Sequence, residues 1–576
     1  MESPGFRSRR PQKTGSSWLN EQPKMPNSGA NPKMWIVVGL AGMFLTYMLT
    51  NKGDPIVDTN CGEIHGVRHK SAEDTFKYYS FMGIPYAAPP VGYRRWRPPE
   101  PLTKKSGTCW NGAFKADKPG KQCAQLDPFS GESTGDEDCL VLDVFTPTLS
   151  SKKALPVLVY FHGGYLRFGN SSATGFVPQG ELAASLNVVV VNVQYRLGPL
   201  GFLVLDELDI GTGNYGFLDQ IEALKWVKRN IGKFGGDPQN VTIGGQSSGG
   251  SSVLYLMLTP FAKGLFHRAW SASGSAVFHS TYEEALKANS FFPKKVGCAE
   301  AEDVEKCLLD LPALEVTKAV YPEWRYEYSM DLPEKDLIEV PLAVVDGTIF
   351  SHGLLETFEK GITNIINDVP LLLGTTAQEA EVFPDVKKPT SPNISSWSKE
   401  VYESYVKEHL DTFGPEMSAK ALSLYPYEVN PLKVYINMVS DVRVTCQNDV
   451  VAELGSKILK SPIYRYVTTA TPSSPMNKFP FDVRLSFHFF DLMGLLGTYP
   501  SFMENPPTEG DMQYTKTMRQ LIGTFMKTGK PHVSAWRPFP KTTGLIGEKV
   551  QVATGYHKKE CKFWMDNGFF EYGWKN

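Results

Sequence analysis

An α/β fold built on a mostly parallel central sheet is what this chain predicts, and three observations carry that expectation. Uninterrupted apolar runs at Leu155 to Phe161 (LPVLVYF) and Asn187 to Tyr195 (NVVVVNVQY) have the pattern of strands buried on both faces. A helix-period segment follows at Leu218 to Ile231, apolar at Leu218, Ile221, Leu224, Trp226, Val227 and Ile231. Val241 to Ile243 then reads as another short strand, and strands alternating with helices indicate parallel strands covered by helices.

The 576 residues, 41% hydrophobic and 21% charged, have the composition of an ordinary globular chain, which excludes a disordered, collagen-like or polytopic membrane protein. A net charge of −2 lacks the basic footprint of nucleic-acid binding, so small neutral partners come first. No C-x-x-C pair, H-E-x-x-H run or G-x-x-x-x-G-K-[ST] loop is present, and neither a metal nor a cofactor is expected.

In chain order, a basic leader over residues 1–33 comes first. Seventeen uncharged residues follow from Met34 to Thr50, enough for ~26 Å of helix, the short end for crossing a bilayer. Arg7, Arg9, Arg10, Lys13, Lys24 and Lys33 precede this run while Lys52 and Asp54 balance beyond it, which keeps the leader cytosolic and sends the rest to the lumen or outside. Secretion after signal cleavage is the competing reading. It fits less well, because the leader is 33 residues long and Tyr47 to Asn51 offers no small-residue pair. We therefore expect a cytosolic tail at 1–33, a transmembrane signal anchor at 34–50 and one domain at 55–576, in which no repeat or linker separates further units. An oxidising compartment also allows the eight cysteines to pair, and the sequons at Asn170, Asn240 and Asn393 to carry glycans.

Later strands are expected at Val369 to Leu373 and Pro462 to Thr468. A helix is expected at Met512 to Met526, whose apolar side (Met518, Leu521, Ile522, Phe525, Met526) suits the core and equally a homodimer contact.

The chemistry gathers after Val241 to Ile243, where Gly244 to Gly250 (GGQSSGG) contains G-x-S-x-G and an apolar helix-like segment follows (Val253, Leu254, Leu256, Met257, Leu258). Strand, sharp turn and helix is the context of a nucleophile elbow. The glycines leave room for a serine on a strained turn, and the helix start aims N–H groups at developing negative charge. A serine nucleophile needs a base, and in this context an acid and then a histidine follow it in the chain. Leu371 to Glu379 supplies a buried strand ending in a carboxylate. A Gly-rich turn, a surface glutamate and a satisfied loop histidine are the bland alternatives for the three positions.

Longer motifs then carry a resemblance: FMGIPYAAPPVG at Phe81 to Gly92, DEDCLVLD at Asp136 to Asp143, NVQYRLGPLGF at Asn192 to Phe202, and GNYGFLDQ through FGGDP at Gly213 to Pro238. The chain resembles the type B carboxylesterases, the carboxylesterase and cholinesterase branch of the α/β-hydrolases, from about Pro55 to Trp564. The resemblance implies an α/β-hydrolase fold with a small N-terminal accessory sheet, and a triad of Ser247, Glu379 (in GTTAQE) and His488 (in HFFDLMGLLG). It implies an oxyanion hole from the backbone N–H groups of Gly164, Tyr165 and Ser248, and a buried Arg95–Glu137 ion pair. It pairs Cys123 with Cys139, Cys298 with Cys307 and Cys446 with Cys561; the remaining Cys61 and Cys109 are expected to form a fourth bridge. The chain departs from the pattern in three places. Tyr165 and Phe489 stand where glycines are usual, and Gln246 replaces the usual glutamate, as in juvenile hormone esterases. The loop between Cys123 and Cys139 is short and holds no tryptophan to stack on a choline cation.

The expected function is therefore a membrane-anchored serine carboxylesterase acting on neutral hydrophobic small-molecule esters. The alternative is a non-catalytic adhesion or receptor protein resembling neuroligin or neurotactin, for which Tyr165 and Phe489 are the best support.

Overall fold

The apolar runs become the middle of an eleven-stranded sheet. In chain order its strands are β1 (Val67–Lys70), β2 (Lys77–Pro85), β3 (Val141–Thr146), β4 (Leu155–Phe161), β5 (Val189–Val193), β6 (Gly236–Gln246), β7 (Arg268–Ala272), β8 (Leu371–Thr376), β9 (Ile463–Thr468), β10 (Thr543–Ile546) and β11 (Val550–Ala553). They lie side by side as β11-β10-β9-β8-β7-β6-β4-β5-β3-β2-β1. Neighbours from β5 across to β10 run parallel; β1, β2 and β3 on one side and β11 on the other join antiparallel. This computed structural model describes residues 54–574 apart from 71–76, 128–129, 209–212, 278–279, 320–329, 337–341, 383–393 and 478–482. The basic leader, the apolar run at 34–50 and the Asn393 sequon lie outside the described residues. Among the described residues no helix is long and apolar enough to cross a membrane.

The central strands lack alternation because both faces are covered. Val157, Val159 and Phe161 of β4 join one core layer, Leu158 and Tyr160 the other. The helices behind these layers are α1 (Tyr215–Asn230), α2 (Ser248–Leu256), α3 (Cys446–Ile458), α4 (Phe490–Leu496) and α5 (Glu509–Thr528). In α5 the side formed by Met518, Leu521, Ile522, Phe525 and Met526 is buried in the core, which accounts for its periodicity without a second copy of the chain. β6 is much longer than Val241 to Ile243, with a register irregularity against β4 between Gly236 and Val241.

Four disulfides close the fold: Cys61–Cys109, Cys123–Cys139, Cys298–Cys307 and Cys446–Cys561. The first ties the turn between strands Ile56–Thr59 and Gly62–His65, which with Phe114–Lys115 make the small accessory sheet. Arg95 and Glu137 meet through two parallel hydrogen bonds of 2.7 and 2.6 Å, and Arg95 also donates to Leu308 O. Asn170 accepts from its own Ser172 N–H at 2.9 Å, in an Asx-turn. Asn240 is half-buried in β6, with its Oδ1 accepting from Arg268.

Candidate active site

The order of strands reverses about β4, and ligands of open α/β sheets bind beyond the C-terminal strand ends at such a point. β6 ends there at Gln246, α2 begins at Ser248, and Ser247 between them holds φ 60° and ψ −130°. That strained conformation turns the serine sharply out of the strand, and the surrounding backbone over-determines it. Ser247 N–H donates to Ala272 O at the end of β7 (2.9 Å), and Ser247 O accepts from Ser251 N–H (3.0 Å). Side chains at Gly245 and Gly249 would collide, the first with Gly249 itself and the second with Phe161 O, so the glycines of the motif are a spatial requirement.

Glu379 and His488 arrive on separate loops that grip each other. The acid loop leaves β8 and the histidine loop follows β9. Gln378 N–H donates to Ser486 O (2.9 Å), Ser486 N–H returns a bond to Gln378 Oε1 (3.1 Å), and Glu381 accepts from the Arg484 and Leu485 amides at 2.8 Å each. The reward is a 2.6 Å hydrogen bond from His488 Nδ1 to Glu379 Oε2. Glu379 is fully buried, and its other oxygen accepts from Ser273 Oγ (2.6 Å) and Thr376 N–H (2.7 Å). These donors aim the buried carboxylate. The second imidazole nitrogen, Nε2, lies 3.0 Å from the Gln246 side-chain nitrogen, one residue before the serine. An amide donor on that side fixes Nε2 as the acceptor and Nδ1 as the protonated nitrogen.

The Gly-rich loop after β4 lies directly against the elbow. A Cβ on Gly163 would come within 2.9 Å of Ser247 Cβ. His162 O accepts from Tyr195 OH (2.7 Å), Leu166 O accepts from Gly198 N–H (2.7 Å), and Gly164 O accepts from the Arg167 and Phe168 amides (2.9 and 3.0 Å). The His162 ring stacks on Tyr195 and bonds Gly163 O through Nδ1, and burial pulls its pKa down to about 4, so it stays neutral. Ser248 contributes the first amide of α2, which has no partner within the helix. Both departures from glycine keep left-handed backbone: φ is 59° at Tyr165 and 63° at Phe489. The loops therefore hold the conformation that glycine favours, with an aromatic ring added to each.

Near Glu379 and His488, Asp491 accepts from Tyr466 OH (2.7 Å), which accepts from Trp270 Nε1 (3.1 Å). Burial, reinforced by the Glu379 charge, raises the Asp491 pKa to about 6. Two supporting residues escaped sequence reasoning: Ser273, just past β7, and Trp574, whose ring stands 4.6 Å from that of His488. Only the S-G-S after a buried strand hinted at the first. Asp441, Cys446 and Cys561 converge like metal ligands, but the two sulfurs are bonded to each other, leaving a single carboxylate.

Comparison with known proteins agrees with this geometry. The carboxylesterase family model matches residues 53–564. Identity to esterase E4 of Myzus persicae is 36% over 357 residues, 57% of this chain and 62% of that protein, so the chain spans about three-fifths of that relative. Identity to the para-nitrobenzyl esterase of Bacillus subtilis is 32% over 498 residues, 85% of this chain and 93% of that one. A solved PNB esterase structure superposes with a TM-score of 0.70 at 28% identity, covering 89% of this chain and 99% of the other.

Proposed function

Because the chain belongs to the carboxylesterase family, we propose that it hydrolyses neutral, hydrophobic carboxylic esters through an acyl-enzyme on Ser247. Ser247 Oγ attacks the ester carbonyl while His488 Nε2 takes its proton. The tetrahedral oxyanion is held by the amides of Gly164, Tyr165 and Ser248, each such donor contributing roughly 3 kcal/mol to the transition state. His488 passes the proton to the leaving alcohol, and Glu379 holds the imidazole tautomer and stabilises the imidazolium. Water, activated by the same histidine, then releases the acid and frees the serine.

The observation that carries this reading is the His488 Nδ1–Glu379 hydrogen bond of 2.6 Å, which leaves Nε2 facing the elbow at Gln246. Neutral Gln246, standing where a glutamate is usual, leaves the Nε2 side of His488 without a formal negative charge. We test it on the full-length chain with a fluorophosphonate probe and a short-chain aryl ester. Labelling at Ser247 and turnover, both abolished in Ser247→Ala, are expected. A parent chain that neither labels nor turns over above that control removes the proposal.

We place this domain on the lumenal or extracellular side of a membrane, anchored by residues 34–50. The basic leader and the four disulfides support that placement. Alkaline carbonate extraction should leave the expressed chain in the membrane pellet; release to the supernatant would argue for secretion instead.

A further inference from the structure

Trp574 lies downstream of the residues 53–564 that the family model matches, yet its indole is built into the site. It is 4% exposed. Its ring meets His488 edge to face with centroids 4.6 Å apart, and meets Tyr165 in the same way at 5.1 Å. Trp574 therefore spans the gap between the proposed base and the residue whose amide serves the oxyanion.

The segment bearing it is held from several directions. Arg443 Nη1 donates to Tyr572 O (2.9 Å), Trp574 N–H donates to Arg443 O (2.7 Å), and Trp574 O accepts from Ser275 Oγ. Gly573 sits so close to Val277 and Gln447 that a Cβ there would come within 2.7 and 2.9 Å of their side chains. Ser275 follows the Ser273 that supports Glu379, so the same turn carries the acid's hydrogen bond and the tryptophan's anchor. A tail fixed in this way holds its indole as firmly as a core residue.

We propose that Trp574 is a specificity-determining residue: a fixed aromatic wall beside His488 and Tyr165 that shortens the substrate pocket and excludes esters with long chains. The inference rests on the hydrolase reading above and deepens it. A rigid wall discriminates by size, because each methylene it refuses alters selectivity by roughly ten- to two-hundred-fold. Replacing the indole by a smaller side chain opens the pocket to the excluded arm.

The experiment compares the full-length parent with Trp574→Ala and Trp574→Phe. It measures kcat/KM for p-nitrophenyl esters from acetate to octanoate and for alkyl acetates from ethyl to octyl, with fluorophosphonate labelling alongside. In Trp574→Ala the long-to-short ratio of kcat/KM should rise at least tenfold in one of the two series, with a smaller rise in Trp574→Phe. A merely structural tryptophan would depress all substrates in parallel, and a ratio within twofold of the parent in both series overturns the proposal. If Trp574→Ala loses its cooperative unfolding transition, Trp574→Phe decides: a ratio more than twofold above the parent in one series supports the proposal, and a ratio within twofold in both overturns it. Parent labelling with an unchanged ratio defeats this inference alone; a parent that never labels defeats the hydrolase reading, and this one with it.

Discussion

The side-chain nitrogen of Gln246 lies 3.0 Å from Nε2 of His488, the nitrogen proposed to accept the Ser247 proton. A neutral amide there can bond unprotonated imidazole but not the protonated ring. A carboxylate in its place would do the reverse. Gln246→Glu should shift the acid limb of the pH profile of kcat/KM upward, because a carboxylate bonds the protonated ring. It should also lower neutral-ester turnover at pH 7 and improve the relative rate on a cationic ester. Steady-state pH profiles on one neutral and one quaternary-ammonium ester check this; an unmoved limb would show that position 246 does not sense the histidine charge.

Ser273 touches the proposed triad through Glu379. Its Oγ supplies one of two donors to Glu379 Oε1, the other being Thr376 N–H. A hydrogen bond to a buried charge contributes ~1.5–3 kcal/mol. Ser273→Ala should therefore lower kcat about tenfold or more and leave KM within about twofold, because the donor serves the imidazolium rather than ground-state binding. A rise in KM at constant kcat would contradict this.

Tyr165 and Phe489 share left-handed backbone, at φ 59° and 63°, but differ in burial. Glycine at either position relieves ~1–2 kcal/mol of backbone strain. Tyr165 is 8% exposed and packs on Trp574 and Phe168, so losing its ring costs ~3–5 kcal/mol and outweighs the relief. Phe489 is only half-buried, against Phe176 and Phe487, and loses less. Tyr165→Gly should lower the denaturation midpoint clearly and Phe489→Gly should shift it little, a contrast read from two urea titrations.

His162 makes stability depend on pH. Its pKa is about 4 in the folded chain against 6.5 ordinarily, so between those values the unfolded chain binds a proton that the native ring refuses. Unfolding free energy is therefore full above pH 6.5 and falls by about 3 kcal/mol as pH drops through 4. Asp143 and Asp491, held near 6 by burial, act in the opposite sense. The informative quantity is thus the difference between parent and His162→Asn, which keeps a donor of matching reach for Gly163 O. That difference should vary by about 3 kcal/mol between pH 7 and 4 in denaturant titrations and stay flat above 7.

Legibility in the sequence followed the range of the forces involved. Leu155 to Phe161 was readable to the residue, because burial on both faces writes itself into every position. The extension of β6 back to Gly236 was not, since Asp237-Pro238 is locally a turn signal and only pairing with β4 makes it a strand. The short antiparallel edges β1 and β11 had no pattern of their own to announce them. At the site, Ser247 sits in a local motif whose glycines have a steric purpose. Ser273 and Trp574 reach Glu379 and His488 from 106 and 86 residues away in the chain, with nothing local to mark them.

The proposed triad follows three parallel strands, Ser247 after β6, Glu379 after β8 and His488 after β9, with β7 lying between the first two. Parallel neighbours pair only after long stretches of chain have closed, which makes such sheets slow to assemble. Ser247 therefore lacks its base until β8 and β9 have docked, whatever the state of the elbow itself. During refolding of the full chain, probe reactivity should return later than far-ultraviolet circular dichroism and in a single phase. Covalent labelling would thus serve as a clock for the completion of the sheet as well as an assay of the enzyme.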